Sequence, residues 1–349
     1  MTNHTISAPS QLSASSVETS TVRYRRGLAR FATFVAVCVS LLILKGALVT
    51  SHDAGLSVPD WPTSYGENMF LFPPSLWIGP IFYEHVHRLI ASGVGALTVI
   101  LAVWIGWVDG RRWVRWLGYA ALGAVIVQGV LGGLTVLLQL PTAVSSAHAV
   151  LAQTFFIMTV VLAYSQSREW FERRREVAAP EWRRYFSYAL LAVALLYVQL
   201  LVGAIMRHAG AGLAVPDFPT MGGTWWPSFS AVWIDGINAA RSALGLAPVD
   251  SFQVAVHIAH RVGGVAVVGG LLSVAYTVRR WSGSSAPARR SAVWIAGIVA
   301  VQFLLGVATV VGQREPFITS FHVLGGALTL ALTVVLALRL FPVGGKDNP

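Results

Sequence analysis

Gly55–Thr63 reads GLSVPDWPT, and Gly212–Thr220 reads GLAVPDFPT. Seven of the nine positions are identical. Gly46-Ala47 precedes the first copy and Gly203-Ala204 the second, at the same offset of 157 residues. Further along, His87-Arg88 returns as His260-Arg261, Gln128 as Gln302 and His148 as His322, at offsets of 173 or 174. Landmarks repeated in unbroken order mark an internal duplication. The growth in offset places about 16 extra residues in the second copy, around 225–250.

The duplicated unit is built for a membrane. Of 349 residues, 55% are hydrophobic and 11% charged, against about 25% charged in an average soluble domain. That excludes a water-soluble domain and a disordered chain. A bilayer core takes roughly 20 apolar residues per helix. Eight such stretches are centred in 31–50, 85–108, 116–138, 145–165, 186–206, 256–278, 292–312 and 319–341. Four spans per unit is an even number, so both units enter the membrane in the same direction. The expected fold is all-α integral membrane, two tandem four-helix bundles related by a pseudo-two-fold axis along the membrane normal. Residues 1–30 read as a disordered cytoplasmic tail and 31–165 as the N-terminal half. Residues 166–185 read as a cytoplasmic linker, 186–341 as the C-terminal half and 342–349 as a tail. The first 30 residues lack the apolar core of a cleaved signal peptide, so the first span is read as retained.

The net charge of +10 is a topology signal. Arg23, Arg25, Arg26 and Arg30 precede the first span, and Arg111, Arg112 and Arg115 follow the second. Arg168, Arg173, Arg174, Arg175, Arg183 and Arg184 follow the fourth, Arg279, Arg280, Arg289 and Arg290 the sixth, and Arg339 and Lys346 close the chain. These are nineteen of the 25 Lys and Arg residues. The opposite loops hold only Arg207, Arg241 and Arg314. The positive-inside rule therefore puts both termini in the cytoplasm of a plasma-membrane protein. Charge laid out this way offers contacts to anionic lipid and does not form the continuous basic face that nucleic acid requires.

His87, His148, His260 and His322 each lie near the start of an even-numbered span, at one depth near the outer face. Ionisable groups inside a membrane are costly and usually functional. Two imidazoles on facing helices can hold one haem iron, and the repeat pairs His87 with His148 and His260 with His322. A protein-caged metal would need more carboxylates than these positions supply. The lone cysteine, Cys38, excludes an internal disulfide, a cysteine cluster and covalent haem attachment. His4 lies in the tail, and His52 and His208 are assigned to outer loops; His85 points away from the face that His87 shares with Glu84.

The halves differ at one chemical position. Glu84 stands three residues before His87, on the same helix face, and its counterpart is His257. A carboxylate beside a bound cofactor can move a proton or stabilise positive charge on a reacting carbon. It can also simply complement a helix N-terminus. Arg88 and Arg261 are placed to pair with haem carboxylates or to snorkel, and Lys45, without a counterpart, to face the first cavity or, as the favoured reading, to snorkel. The loop aromatics Trp61, Phe70, Phe72, Trp77, Phe218, Trp225, Trp226 and Trp233 suit either a lid or an interfacial anchor. Glycines 129, 132, 133, 263, 264, 269, 270, 325 and 326 allow close helix approach or leave room for a porphyrin.

Glu84-His85-Val86-His87-Arg88, the two Gly-Leu-x-x-x-Asp-Trp/Phe-Pro loops, Gln128-Gly129-x-Leu131-Gly132-Gly133 and the four repeated histidines together resemble the haem A synthase family, over roughly residues 35–340. The resemblance implies an eight-helix membrane oxidoreductase of cytochrome oxidase assembly that converts the C8 methyl of haem O into a formyl group. It implies that Glu84 is the catalytic carboxylate and that His87 and His148 face the substrate haem. It assigns His260 and His322 as ligands of a haem b. Haem O synthase and an electron donor are the implied partners, and a homo-oligomer is compatible with the pattern. Many bacterial relatives carry a cysteine pair in the first outer loop, and this chain has none there. The competing readings are a bis-histidine two-haem cytochrome that only transfers electrons, and a duplicated transporter. The transporter would place its ionisable groups at the midplane.

Overall fold

The computed structural model describes residues 23–173 and 181–342. Among them are ten α-helices: α1 (Arg26–Ser51), α2 (Pro80–Val108), α3 (Arg112–Leu137), α4 (Thr142–Ser165), α5 (Arg168–Arg173), α6 (Trp182–His208), α7 (Ala231–Ala243), α8 (Ser251–Arg280), α9 (Ala286–Val311) and α10 (Pro316–Leu340). Eight of these, all but α5 and α7, are long and apolar enough to cross a membrane. Residues 1–22, 174–180 and 343–349, expected as tails and linker, lie outside the described residues.

Most spanning helices begin four to six residues before the apolar stretch that marks them, as the start of α8 explains. Asp250 accepts the Gln253 N–H over 2.8 Å, and the Gln253 side chain accepts the Asp250 N–H over 3.1 Å. This reciprocal cap satisfies two orphan donors. It extends the helix through polar residues that hydropathy does not count. α2 and α10 instead start on a proline, whose missing N–H costs nothing at that position.

The N-terminal helices pack as a ring, α1 on α2, α2 on α3, α3 on α4 and α4 on α1. The C-terminal helices repeat it as α6, α8, α9 and α10. Between the rings, α1 meets α10, α4 meets α6 and α4 meets α10. Exchanging α1 with α6 and α4 with α10 maps this set of contacts onto itself. One end of the bundle is densely packed. Leu28, Leu101, Ile105, Val114 and Leu162 form its core in the first ring, and Leu271, Val278, Ala288, Ile295 and Leu336 in the second. At that end Arg111 pairs with Asp109 (2.6 Å) and Arg339 with Glu169 (2.6 Å).

The opposite end carries the two long loops, 52–79 and 209–250. Each folds around an aspartate of the repeated motif. The Tyr65 and Gly66 N–H groups donate to Asp60 over 2.8 Å, joined by the Thr63 hydroxyl. Gly222, Gly223 and Thr220 do the same for Asp217. The extra residues of the second loop form α7. Its Ile237 is buried with Ala211, Ala214 and Val215, and its Arg241 donates to the Ala247 and Leu213 carbonyls.

Burial pushes the Asp60 carboxyl up, but the Thr63 hydroxyl and the two N–H groups outweigh it and hold it below the usual carboxylate range. The loop stability it provides is therefore complete above the unfolded pKa of about 3.9 and is lost as pH falls through the lowered value. Hydrogen exchange at Tyr65 and Gly66, corrected for its intrinsic pH dependence, should stay slow from pH 7 to about pH 4 and quicken below. Asp60→Asn should exchange fast throughout.

Candidate functional site

Four histidines sit on four glycines at the loop end. A Cβ placed on Gly46 of α1 would lie 3.0 Å from Cε1 of His87, and one on Gly132 of α3 would lie 3.1 Å from Cε1 of His148. On Gly203 of α6 it would lie 2.9 Å from His260, and on Gly306 of α9 3.0 Å from His322. Each imidazole of an even-numbered span thus lies flush against the backbone of a neighbouring span. Glutamines fix three of the four histidine backbones. Gln128 donates to the His148 carbonyl over 3.0 Å, Gln199 to that of His260 over 2.8 Å and Gln302 to that of His322 over 2.8 Å. Gly263 and Gly325 leave the space that the Gln199 and Gln302 side chains fill. Those two glycines therefore serve packing, whereas Gly129 and Gly269 meet nothing within 4 Å.

The His260 and His322 ring centroids are 6.3 Å apart, with planes inclined at 81°. Both rings line a cavity of about 500 Å³ walled by α4, α6, α8, α9 and α10 and roofed by Phe218, Pro219 and Met221 of the second loop. Its lining is mostly aliphatic and glycine. In the first half, His87 and His148 stand on α2 and α4 against Gly46 and Gly132. The indole of Trp61 lies against Gly133 there. The Nδ1 atoms of His87, His148 and His322 are buried without a partner, and Gln199 Nε2 lies 3.0 Å from Nδ1 of His260. Among the described residues no three His, Cys, Asp or Glu side chains converge as a protein-caged metal would require. Histidines paired by the repeat, the second pair lining an apolar cavity, fit a metal whose remaining ligands come with it, as in haem.

The two loops are clamped by homologous pairs. Glu84 is 3% exposed. Its Oε2 accepts the Val58 N–H over 2.8 Å, and its Oε1 accepts from Arg88 over 2.7 Å. Arg88 also donates to the Val58, Asp60 and Thr63 carbonyls over 2.7–3.0 Å, so three of its five donors hold the loop and a fourth holds Glu84. In the second half the Val215 N–H points at His257 Nδ1 over 3.3 Å, and Arg261 donates to Nε2 over 3.0 Å. Arg261 also reaches the Val215 and Thr220 carbonyls. A carboxylate accepts from both donors at once, but a neutral imidazole has one acceptor nitrogen. The first clamp is therefore fully satisfied and the second is not.

The remaining candidates fall as follows. His85 is fully buried between Phe72 and Trp77 of the first loop, with Ser64 Oγ 3.2 Å from its Nδ1. The Lys45 ammonium sits over the Phe82 and Tyr83 rings at 4.5 and 4.7 Å. His52 stacks on Tyr83 at 3.9 Å. His208 is the last residue of α6 and lines the cavity, so its assignment to a loop is corrected. In the loops Val58, Ser64 and Val215 are buried, while Trp225 and Trp226 are exposed. Reading residue by residue missed the glycine seats, Gln199 and α7. Gly132 and Gly306 carry the same offset of 174 as the histidines, so the repeat itself could have found them.

A sequence profile of the cytochrome oxidase assembly protein family matches residues 79–334, from the start of α2 through most of α10. A haem A synthase of Halalkalibacterium halodurans is 29% identical over 313 residues, covering 86% of this chain and 92% of that protein. Haem A synthases of Rhizorhabdus wittichii and Sphingopyxis alaskensis are each 27% identical, covering 92% and 94% of this chain and 94% and 96% of their own lengths. The profile spans all four histidines, Glu84-Arg88 and His257-Arg261, and the chain belongs to the cytochrome oxidase assembly protein family.

Proposed function

We propose that this multi-pass membrane protein is a haem A synthase, oxidising the C8 methyl of haem O to a formyl group. The observation that carries the reading is the set of four glycine-seated histidines, paired by the repeat, with a carboxylate beside only one pair. Relatives that share nearly the whole chain are haem A synthases. His87 and His148 face the substrate haem O. Glu84 takes a proton, or stabilises positive charge developing on the reacting carbon. His260 and His322 hold a haem b across the second cavity. When bound, that group supplies one-electron transfer. Arg88 and Arg261 hold the loops over the two sites and present their remaining donors to haem carboxylates. The two rings, 31–165 and 186–341, are duplicated halves about an axis along the membrane normal, with both termini cytoplasmic. A haem O synthase supplies the substrate, and a membrane electron carrier exchanges the electrons.

One observation favours the electron-transfer cytochrome: both Glu84 oxygens are already engaged in the loop clamp. Co-expression with a haem O source, followed by chromatography of extracted haems, separates the two readings. Haem A accompanying the wild-type chain supports the enzyme. A low-spin haem b spectrum with haem O left unconverted selects the cytochrome.

The glycine seats make a sharp prediction. Gly203→Ala puts a methyl group 2.9 Å from a ring carbon of His260, and a rigid ring yields only by moving its nitrogens. The variant should bind the second haem at least about tenfold more weakly, about 1.4 kcal/mol. Gly129→Ala, which meets open space, should match or slightly exceed wild-type stability. The haem-to-protein ratio of purified Gly203→Ala and the thermal unfolding midpoint of Gly129→Ala check this.

A further inference from the structure

The second cavity carries two arginines that the first half lacks. Arg207, in the last turn of α6, and Arg314, in the turn before α10, both line it. By the repeat offsets their places in the first half are held by Thr50 and Leu140. The backbone is conserved at the second position. Leu140 and Arg314 have φ of 57° and 63°, and each lies against the glycine that opens the repeated loop motif, Gly55 or Gly212. One niche thus holds an isobutyl group in one half and a guanidinium in the other.

Arg207 is only partly satisfied. Its Nη2 reaches across to the other half, donating to the Ala47 carbonyl over 2.6 Å and the Ser51 hydroxyl over 2.8 Å. Its Nη1 is buried with no partner. Among the described residues, neither arginine has a carboxylate at ion-pair distance. Arg88 and Arg261, by contrast, spend four and three of their five donors on the loop clamps. Two guanidiniums with unused donors at the end of an apolar cavity call for an anion, and guanidinium favours carboxylate or phosphate.

We propose that Arg207 and Arg314 form a carboxylate site at the loop end of the second cavity, occupied by the acidic side groups of the tetrapyrrole held between His260 and His322. The inference rests on the haem reading of that cavity. It orients the resident group with its carboxylates toward the loops and its apolar edge toward the aliphatic lining. It also separates the halves by residence: the second haem is pinned by charge at two points, while Thr50 and Leu140 leave the first haem free of those pins, so that a product can leave.

The test uses the full chain made in a haem-deficient host, purified in detergent and titrated with protohaem or with protohaem dimethyl ester, whose carboxylates are blocked. The low-spin band that His322→Ala removes is read. Wild type should prefer the free acid by at least about tenfold. The double variant Arg207→Gln, Arg314→Leu should lose that preference while binding the ester as wild type does. A merely structural role would weaken both haems alike and leave the ratio unchanged. Arg314→Leu alone, which touches no other helix through a hydrogen bond, should lose part of the preference and serves if the double variant fails to assemble. Equal binding of acid and ester by wild type, or a preference undiminished in either variant, overturns the carboxylate site. No low-spin band with either compound overturns the haem reading itself.

Discussion

Cells expressing Glu84→Gln with a haem O source should accumulate haem O and form haem A about 10²–10³-fold more slowly than wild type, the range for removing a positioned acid–base or charge-stabilising group. The amide keeps an oxygen for the Val58 N–H but removes the charge that Arg88 neutralises. That pair is nearly buried, at 10% and 4% side-chain exposure, and breaking a buried ion pair costs about 3–5 kcal/mol. Loss of product could therefore arise from a loosened first loop rather than from lost chemistry. Two controls separate these causes. The second-half haem spectrum should be unchanged in Glu84→Gln. Glu84→His, which installs the clamp residue of the second half with its single acceptor nitrogen, should restore part of the loop protection in hydrogen exchange without restoring haem A. Normal haem A from either variant would leave Glu84 as a structural anchor only.

The second large effect is spectroscopic. His260→Ala or His322→Ala should abolish the low-spin haem b band, because a six-coordinate bis-imidazole iron needs both rings. His87→Ala and His148→Ala should keep that band and lose haem A formation. The rings of the second pair lie 6.3 Å apart, inclined at 81°, and both line their cavity. A retained band in either second-half variant would break the pairing.

Much of this was legible in the chain. Eight apolar stretches give eight spanning helices because backbone hydrogen bonds must close within each segment in a bilayer. The duplication was legible because the loop motif and the histidines recur at nearly constant spacing. The capped ends were not, since hydropathy does not count polar residues that continue a helix. α7 escaped for the same reason, as a short amphipathic helix without a long apolar window.

Composition and spacing by themselves determined the span count, the two halves, the four histidines and the single carboxylate that distinguishes them. These are properties of local hydrophobicity and of order along the chain. Only the tertiary structure decided which partners those residues have. It placed glycines from neighbouring spans under all four imidazoles, committed Glu84 and Arg88 to one loop clamp, and left Arg207 and Arg314 beside the second cavity. Such partnerships join residues far apart in sequence, up to 160 residues for Arg207 and Ala47. They depend on how helices are rotated and stacked against one another, which no local pattern encodes.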